Sequence, residues 1–451
     1  MATIDAALEQ IKRDPLRAVD PDLVCQVSRR FGHVWRNRQL PPPDTIGLFI
    51  QQVLQGNLCC NGVRHIAKKP ITGSAWCQAR YRLPLEVYRA LPREVYQKAR
   101  IRDRHKDYLW HGHRTFHIDG TGFSMPDTPE LREEFGLPNG VVEGCGFPVG
   151  HLLVLFNARN GLLADAIAAR GLRGDLADVP AILQHLEAGD ILIGDDSFGC
   201  YAVLALLQRV HLHGLFAVHH ARIVDFRPGR PFSQEGQRDT AAGLAHSQWV
   251  RSLGEQDQLV RYFKPSHRPD WMDADLWAQL PESIVVRELR RRVRHPERGV
   301  MELTMVTTLI NPRAYSAEAI TDLRGTRWGV ETDIGYLKTR TKMDVLHCRK
   351  PEGVRRELCI FALVYNLVRL VMLTAARRQK IRPEQISFAD VLHWLQYTRA
   401  GEDLPTFVAN LPRPDRTEPR VVKRRNKDFP YMTKPRWQYK QASKDRLKAL
   451  T

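Results

Sequence analysis

The order of apolar segments between Thr115 and Val218 most constrains what this chain can fold into. Three short β-like runs come first, and the segments after them alternate between helical and β-like patterns. The predicted strands are Thr115 to Thr121, Phe147 to Asn157, Leu162 to Ala169, Ile191 to Ile193 and Gly214 to Val218, and the predicted helices are Val179 to Leu186 and Tyr201 to Val210. Three adjacent strands followed by alternating strands and helices predict a mixed α/β sheet.

The residues before about position 105 predict small helices. One runs from Thr45 to Gln55 after a Pro-Pro-Pro-Asp segment, a second from Ser74 to Arg82, and a third from Glu86 to Ala90 after Pro84. The arginines of the second helix suit contacts with phosphate. A plain helical bundle with a solvated basic face accounts for them equally well, so the pattern by itself leaves the role of this region open.

The helical pattern lapses between Arg222 and about Asn311. Three runs predict strands there, Gln258 to Phe263, Ile284 to Leu289 and Met301 to Leu309, with connections rich in Gly, Pro and Asp. A basic cluster lies in the same region and consists of Arg287, Arg290, Arg291, Arg292 and Arg294. These arginines fit either a solvated strand face or a contact with DNA, and we favour DNA.

The longest apolar run, Leu358 to Leu373, contains Asn366 and Arg369 and is shorter than a membrane-spanning helix requires. It therefore predicts a buried core helix. No charged-then-apolar leader opens the chain, and the eight cysteines are scattered without a Cys-x-x-Cys pair. We therefore expect a soluble protein of a reducing compartment such as the cytosol, with neither a membrane partner nor structural zinc.

The chain carries 68 Lys and Arg against 50 Asp and Glu, a formal net charge of +18. This surplus predicts a polyanionic partner, and nucleic acid fits best, although a ribosome or a membrane surface would also suit it. Residues 413 to 451 hold thirteen basic and four acidic side chains, interleaved with aromatic residues such as Phe429, Tyr431 and Trp437. We expect a flexible tail that orders on phosphates and stacks on bases, with a solubilising tail as the alternative.

Acidic residues lie at the ends of two predicted buried strands. Asp119 lies in the run His117 to Thr121, and Asp195 and Asp196 come just after Ile191 to Ile193. A buried carboxylate without a partner is costly in free energy, and a divalent cation with oxygen ligands removes that cost. The two strand ends therefore predict part of a metal site.

A third carboxylate lies in the segment Leu323 to Lys350. If Thr326 to Lys342 is a helix, Arg327, Glu331 and Lys338 fall within about 40° of one another around its axis. The adjacent apolar stripe is formed by Val330, Ile334 and Leu337. A carboxylate between cations suits a metal ligand flanked by phosphate contacts, and an i,i+4 ion pair on a solvated face is the alternative.

Three carboxylates spread along the chain and placed on two strands and a helix resemble the site of a DDE transposase. The spacing Arg327, three residues, Glu331, six residues, Lys338 is similar to the Arg-Glu-Lys part of the Tyr-Arg-Glu-Lys signature of bacterial insertion-sequence transposases in the insertion sequence four family. The similarity extends from about Leu40 to about Leu373. The chain departs from the family where Arg324 occupies the position of the signature tyrosine.

The resemblance implies an α/β fold with a ribonuclease H-like core. The core carries a β-rich insertion, follows a helical N-terminal domain that binds transposon ends, and precedes a basic tail. The implied divisions are 1–105 for the helical N-terminal region, 106–222 for the first part of the core, 223–311 for the β-rich insertion, 312–375 for the second part of the core with the signature helix, 376–412 for a C-terminal helical region and 413–451 for the basic tail.

The resemblance also implies a catalytic metal site. In this family three carboxylates hold two divalent ions, Mg²⁺ or Mn²⁺. Asp119 is implied as the ligand shared by the two ions, and Asp195 and Glu331 as the other ligands. Asp195 is preferred to Asp196 because it takes the place after the apolar strand that the family gives to its acid.

DNA contacts follow from the same resemblance. Arg327 and Lys338 are implied to bind the phosphate near the transposon terminus, and Arg324 to supply a cation where relatives use tyrosine. The family cuts through a DNA hairpin and holds an extruded base against tryptophan. Trp328 is one candidate for this role, although packing is the commoner role of a tryptophan. Further candidates in the insertion are Trp249, Trp271 and Trp277.

The leading hypothesis is therefore a transposase that catalyses metal-dependent cleavage at transposon ends and strand transfer into target DNA. The alternatives are a non-catalytic DNA-binding derivative and a nuclease that cuts without joining. The expected partners are terminal inverted repeats and target duplex DNA, with a homodimer in the DNA complex. The expected location is the cytoplasm, at the nucleoid.

Two histidine pairs lie outside this scheme. His111-Gly112-His113 and His219-His220 offer nitrogen ligands for a metal. Histidines of this kind are more commonly ordinary surface or core residues, so the sequence does not assign them a metal.

Overall fold

The structure, a computed structural model, describes residues 19–36, 40–100, 108–138, 144–170, 175–233, 243–295, 299–399, 401–410 and 434–450. One sheet of nine strands runs through this part of the chain. The strands are β1 (Thr115–Ser124), β2 (Val149–Asn157), β3 (Leu163–Arg170), β4 (Ile191–Ile193), β5 (His213–Ala217), β6 (Gln248–Gly254), β7 (Asp257–Phe263), β8 (Ser283–His295) and β9 (Gly299–Thr307). Their order across the sheet is β3-β2-β1-β4-β5-β9-β8-β7-β6.

Helices surround this sheet and form most of the N-terminal region. The described helices are α1 (Pro21–Arg30), α2 (Pro42–Leu54), α3 (Cys60–Val63), α4 (Gly73–Arg82), α5 (Leu85–Arg100), α6 (Pro129–Phe135), α7 (Val179–Leu183), α8 (Tyr201–Arg209), α9 (Ala274–Ala278), α10 (Ala317–Gly325), α11 (Trp328–Gly335), α12 (Pro351–Gln379), α13 (Phe388–Tyr397) and α14 (Arg436–Leu450). The mixed α/β architecture predicted from the sequence is thus confirmed.

The register of β1 and β4 determines where the acidic residues lie. The two strands are parallel, and His117 is opposite Ile193. Asp119 and Asp195 each follow these paired residues by two positions. Because the two strands are parallel and in register, the fold brings Asp119, in the middle of β1, beside the loop after β4 that carries Asp195.

The longest apolar segment lies in α12, and the predicted core helix is confirmed. The most apolar window of this helix is 89% buried inside the protein. Asn366 donates a hydrogen bond to the Leu163 carbonyl oxygen and accepts one from the Leu163 amide, at 2.9 and 2.8 Å. The Arg369 Nε donates to the Asn160 carbonyl oxygen at 3.1 Å. The polar residues that interrupt the apolar run therefore attach α12 to the sheet.

The strands after β5 extend the core sheet. β9 pairs with β5 in antiparallel fashion, with Phe216 opposite Val306, and β8, β7 and β6 follow outward from it. The sequence does not predict β6, and it ends β8 at Leu289. The strand continues because its backbone still pairs with β9 as far as His295 opposite Gly299, whatever the polarity of the side chains.

Two helices correct the sequence predictions. α5 continues well past Ala90, and Pro92 is tolerated inside it while Leu91, Val95 and Tyr96 are buried. Residues 436–450 form the helix α14, whereas we expected this part of the tail to be flexible. The segment is rich in Ala, Leu, Lys and Gln, which favour a helix. The basic residues of the tail from 413 to 433 lie outside the described residues.

Candidate active site

Asp119 lies on β1, and its side chain is 14% exposed. One carboxylate oxygen accepts a hydrogen bond from the Gly120 amide at 2.9 Å. The other accepts from the Arg327 Nη2 at 3.0 Å, across 208 residues of sequence. The first strand of the sheet and the signature segment therefore meet at this carboxylate.

Glu331 lies in the first turn of α11, on the solvent side of the same arginine. The Arg327 Nη1 lies 3.1 Å from the Glu331 Oε1, and the glutamate side chain is 63% exposed. The i,i+4 ion pair considered from the sequence is therefore present. The same guanidinium also binds Asp119, however, so it holds the strand acid and the helix acid together.

Asp195 and Asp196 follow β4. One Asp195 carboxylate oxygen accepts from the Ser197 amide at 3.0 Å and from the Ser197 hydroxyl at 2.6 Å, which fixes the loop. Asp196 instead lies near a histidine, with its Oδ2 3.6 Å from the His220 Nδ1. The two neighbouring acids thus have different surroundings.

Arg324 is buried within range of the charges of the strand acids. Its residue is 5% exposed, and its pKa is lowered to about 10, first by burial and then by Arg327, against the opposing effects of Asp195, Asp196 and Asp119. The Nε and Nη1 of Arg324 make no hydrogen bond within the described part of the chain. The buried guanidinium therefore lies within electrostatic range of the three strand acids.

The signature segment is not the single helix predicted from Thr326 to Lys342. α10 ends at Gly325, α11 begins at Trp328, and a π-helix of residues 336–340 follows it. The Thr326 hydroxyl donates to the Leu323 carbonyl oxygen at 2.7 Å, which competes with continuation of the helix. The break places Arg324 on a different helix from Glu331.

The remaining predicted DNA-contact residues lie along the same segment. Trp328 is the first residue of α11 and is half-buried, and Lys338 is half-buried in the π-helix. Of the tryptophans in the insertion, Trp277 packs edge-on against Tyr201 with a ring-centroid distance of 6.0 Å. Trp249 lies on β6, the strand at the sheet edge. Arg287 of the predicted basic cluster is buried and paired with Asp257, so it does not face solvent.

His117 belongs to the site although it was not among the residues predicted for it. Its Nε2 lies 2.9 Å from the Thr326 hydroxyl oxygen. Because that hydroxyl already donates its proton to Leu323, the imidazole donates from Nε2. One feature of the sequence could have identified His117 as a site residue. It lies two residues before Asp119 on the same strand, so both side chains lie on the same face of the sheet.

The buried imidazole predicts a pH dependence of stability. The pKa of His117 is lowered from 6.5 to about 3, first by burial and then by Arg324 and Arg327. Below pH 6.5 the unfolded chain binds a proton that the folded protein excludes. The stabilisation from this group is therefore complete above pH 6.5 and is lost as the pH falls toward 3, at up to about 1.4 kcal/mol per pH unit.

We expect His117→Gln to flatten this dependence. Urea unfolding of the wild-type protein and the variant at pH 7 and pH 5 measures the difference in the free energy of unfolding. The exposed His267 provides a matched control, and His267→Gln should keep the wild-type pH dependence. If the free energy of unfolding fell equally between pH 7 and pH 5 in His117→Gln and in the wild-type protein, His117 would not be the source of the pH dependence.

A second network behind the site holds α11. Asp333 lies two residues after Glu331, and its pKa is raised by burial despite the opposing charge of Arg369. The Arg369 Nη1 lies 3.8 Å from the Asp333 carboxylate. Since Arg369 also binds the Asn160 carbonyl oxygen, the turn between β2 and β3 and the core helix α12 together support the helix that carries the glutamate.

Comparison with known proteins identifies the family of the chain. The model of the family described as Transposase DDE domain matches residues 110–367. Transposase InsG for insertion sequence element IS4, from Escherichia coli strain K12, is 24% identical over 460 residues, covering 96% of this chain and 95% of that protein. A cryo-EM structure of the piggyBac transposase synaptic complex with hairpin DNA covers 88% of this chain and 80% of its own, with a TM-score of 0.40 and 11% sequence identity.

The family match covers more than half of the 451 residues, and it includes the two strand acids and the signature segment. The comparison with InsG extends over nearly the whole of both chains. The protein therefore belongs to the DDE transposases of the IS4 family, enzymes that cleave DNA and transfer strands.

Proposed function

We propose that Asp119, Asp195 and Glu331 are the catalytic acids of this transposase. The observation that carries the proposal is the position of Arg327, whose guanidinium contacts both Asp119 and Glu331, while Asp195 follows the strand that pairs with the strand of Asp119. The charges of Asp119 and Asp195 also act on the buried Arg324, so the three carboxylates and two guanidinium groups belong to one electrostatic environment. Carboxylates in such an environment can exchange their cationic partners for metal ions.

The donor set fits divalent ions. Carboxylate oxygens are hard ligands that suit Mg²⁺ and Mn²⁺, and we propose two ions of this kind. When bound, such ions supply a Lewis acid that activates the attacking water or 3′-hydroxyl and neutralises the leaving oxygen. Asp119 is the proposed shared ligand because its strand β1 pairs with β4, which leads to Asp195, and its carboxylate contacts Arg327, which also contacts Glu331.

The arginines have a second role in this proposal. When the carboxylates bind cations, the two Nη atoms of Arg327 become available for the oxygens of a phosphate, which a guanidinium binds in bidentate fashion. Lys338 follows on the same segment and adds a point charge. Arg324 is buried, so we propose that its charge acts on the strand acids and that it contacts a terminal phosphate only when that phosphate enters the site. Trp328, at the start of α11, is the proposed stacking residue.

The wider proposals concern partners and organisation. We propose that the protein acts on terminal inverted repeats and target duplex DNA as a homodimer, in the cytoplasm at the nucleoid. The core would be ribonuclease H-like, with division into N-terminal, core, insertion and tail regions as the sequence suggests. The net charge of +18 supports a DNA partner.

A DNA assay separates the enzyme from its alternatives. Cognate terminal repeats are incubated with the protein in Mg²⁺ or in chelator, and cleaved ends and joined products are measured separately. The proposal expects both products in Mg²⁺ and neither in chelator. Cleavage without joining would support a nuclease, and binding without either product would support a DNA-binding derivative.

Loss of a phosphate contact should weaken DNA binding uniformly across sequences. For Lys338→Ala we expect the slope of log affinity against log salt concentration to fall by about one, because one fewer phosphate is neutralised. Fluorescence anisotropy at several salt concentrations measures the slope. Arg378, exposed near the end of α12, provides a control that loses the same charge, and Arg378→Ala should keep the wild-type slope. An unchanged slope for Lys338→Ala would remove it from the DNA interface.

A further inference from the structure

A histidine pair lies beside the candidate site without being used by it. His219 and His220 follow β5 after one intervening residue, Val218, and Asp196 is the third residue after β4. β4 and β5 are parallel neighbours, with Ile193 opposite Leu215. Their carboxyl ends therefore meet at one edge of the sheet, and the fold brings the three side chains together.

The three side chains converge closely. One ligand atom from each of Asp196, His219 and His220 lies within 4.8 Å of the other two. The Asp196 Oδ2 is 3.6 Å from the His220 Nδ1, and the two imidazole centroids are 4.1 Å apart. Ligand atoms bonded to one tetrahedral Zn²⁺ lie roughly 3.3–3.6 Å apart, so a contraction of about 1 Å would complete the set. Both histidines are exposed, and their side chains are free to make such a movement.

We propose that Asp196, His219 and His220 form a binding site for a divalent transition metal, distinct from the site of the three catalytic acids. Two imidazole nitrogens and one carboxylate favour Zn²⁺ or a similar transition ion over Mg²⁺, which prefers an all-oxygen shell. Three protein ligands leave a position for water or for a phosphate oxygen. The ligand class therefore differs from that of the catalytic acids, where every donor is an oxygen.

The surroundings determine how such an ion binds. The His219 Nδ1 accepts a hydrogen bond from the Ala221 amide at 3.2 Å, so this nitrogen carries a lone pair that a metal can use in place of the amide. Arg324 also feels the charge of Asp196 and competes with a cation there. The two imidazoles supply nitrogen ligands for which this arginine does not compete.

An occupied site would connect two segments at this edge of the sheet. It ties the start of the insertion, just after β5, to the loop after β4. Asp195 is the neighbouring residue in that loop, and Ser197 already fixes its carboxylate. Metal binding by Asp196 would therefore hold the backbone next to Asp195. The metal site then acts on Asp195 by fixing the position of its carboxylate.

Cobalt binding to the full-length protein tests this proposal. Co²⁺ is titrated in excess Mg²⁺, and its visible absorption reports nitrogen ligands while equilibrium dialysis gives the stoichiometry. Three variants are compared with the wild-type protein: a His219→Gln and His220→Gln double variant, an Asp119→Asn and Glu331→Gln double variant, and His267→Gln as an exposed-histidine control. Thermal unfolding without metal checks that each variant is folded.

The expected result is one imidazole-bound Co²⁺ in the wild-type protein, in the control and in the variant lacking two catalytic acids. The histidine double variant should bind this ion at least about a hundredfold more weakly. Loss of a group that only hydrogen-bonds to a metal ligand already lowers metal affinity by ten- to a hundredfold. Wild-type Co²⁺ affinity in the histidine double variant would overturn the proposal. Loss of the ion only in the catalytic-acid variant would overturn it as well, by assigning the metal to the other site. Neither result depends on whether the DNA is cut.

Discussion

Asp119→Ala is expected to abolish cleavage and strand transfer at transposon ends while the protein still binds DNA. The residue lies on β1, its carboxylate contacts Arg327, and its charge acts on Arg324. Its removal takes away the ligand proposed to serve both ions. Loss of one group that stabilises charge in a transition state typically costs about 10²–10³ in rate, and we expect at least that for a shared metal ligand.

The measurement is the rate of appearance of cleaved and joined DNA from labelled terminal repeats. Asp322, an exposed acid on α10, provides a matched control, and Asp322→Ala should cut at the wild-type rate. Asp119→Asn keeps the shape of the side chain and separates a catalytic loss from a folding defect. Cleavage by Asp119→Ala within a few-fold of the wild-type rate would show that the triad is assigned wrongly.

Of the substitutions considered, Arg287→Met is expected to lower the free energy of unfolding most. The guanidinium is 1% exposed and makes two hydrogen bonds to Asp257, at 2.8 and 2.5 Å, and a third to the Tyr315 carbonyl oxygen at 2.7 Å. Without Arg287 the buried carboxylate of Asp257 has lost its cation. Breaking a buried pair in this way costs about 3–5 kcal/mol.

Urea unfolding monitored by circular dichroism measures this loss. Arg292→Met removes an exposed arginine from the same strand and should change the free energy of unfolding by less than about 0.5 kcal/mol. A double variant, Asp257→Leu with Arg287→Met, should recover part of the loss in the free energy of unfolding, because neither charge of the buried pair is left without its partner. A wild-type unfolding midpoint for Arg287→Met would contradict the structural role of the pair.

The sheet was largely predictable because its strands are short apolar runs with clear ends. Ile191 to Ile193 was predicted with its observed limits, and β1, β2 and β3 within a few residues. β6 was not predicted because the strand lies at the sheet edge and its residues are mostly exposed, so its apolar signal is weak. β8 was predicted too short because arginines continue a strand whose length depends on pairing with β9.

The acids of the candidate site were predictable for a similar reason. A carboxylate at the end of a buried strand is costly, so Asp119 and Asp195 are conspicuous in the amino-acid sequence itself. The burial of Arg324 was not predictable, because it depends on a helix break at Gly325 and on strands far away in the sequence. His117 was missed because its role depends on Thr326, a contact across 209 residues.

The central claim is that Asp119, Asp195 and Glu331 together hold the catalytic cations, and anomalous scattering tests it most directly. A crystal of the protein with its terminal-repeat DNA, grown in Mn²⁺, would locate each manganese ion without any assumption about the ligands. We predict manganese peaks within bonding distance of oxygens from all three side chains, with Asp119 contacting two peaks. Manganese bound elsewhere on a complex with properly seated DNA, with Asp119 and Glu331 still paired to Arg327, would contradict the claim.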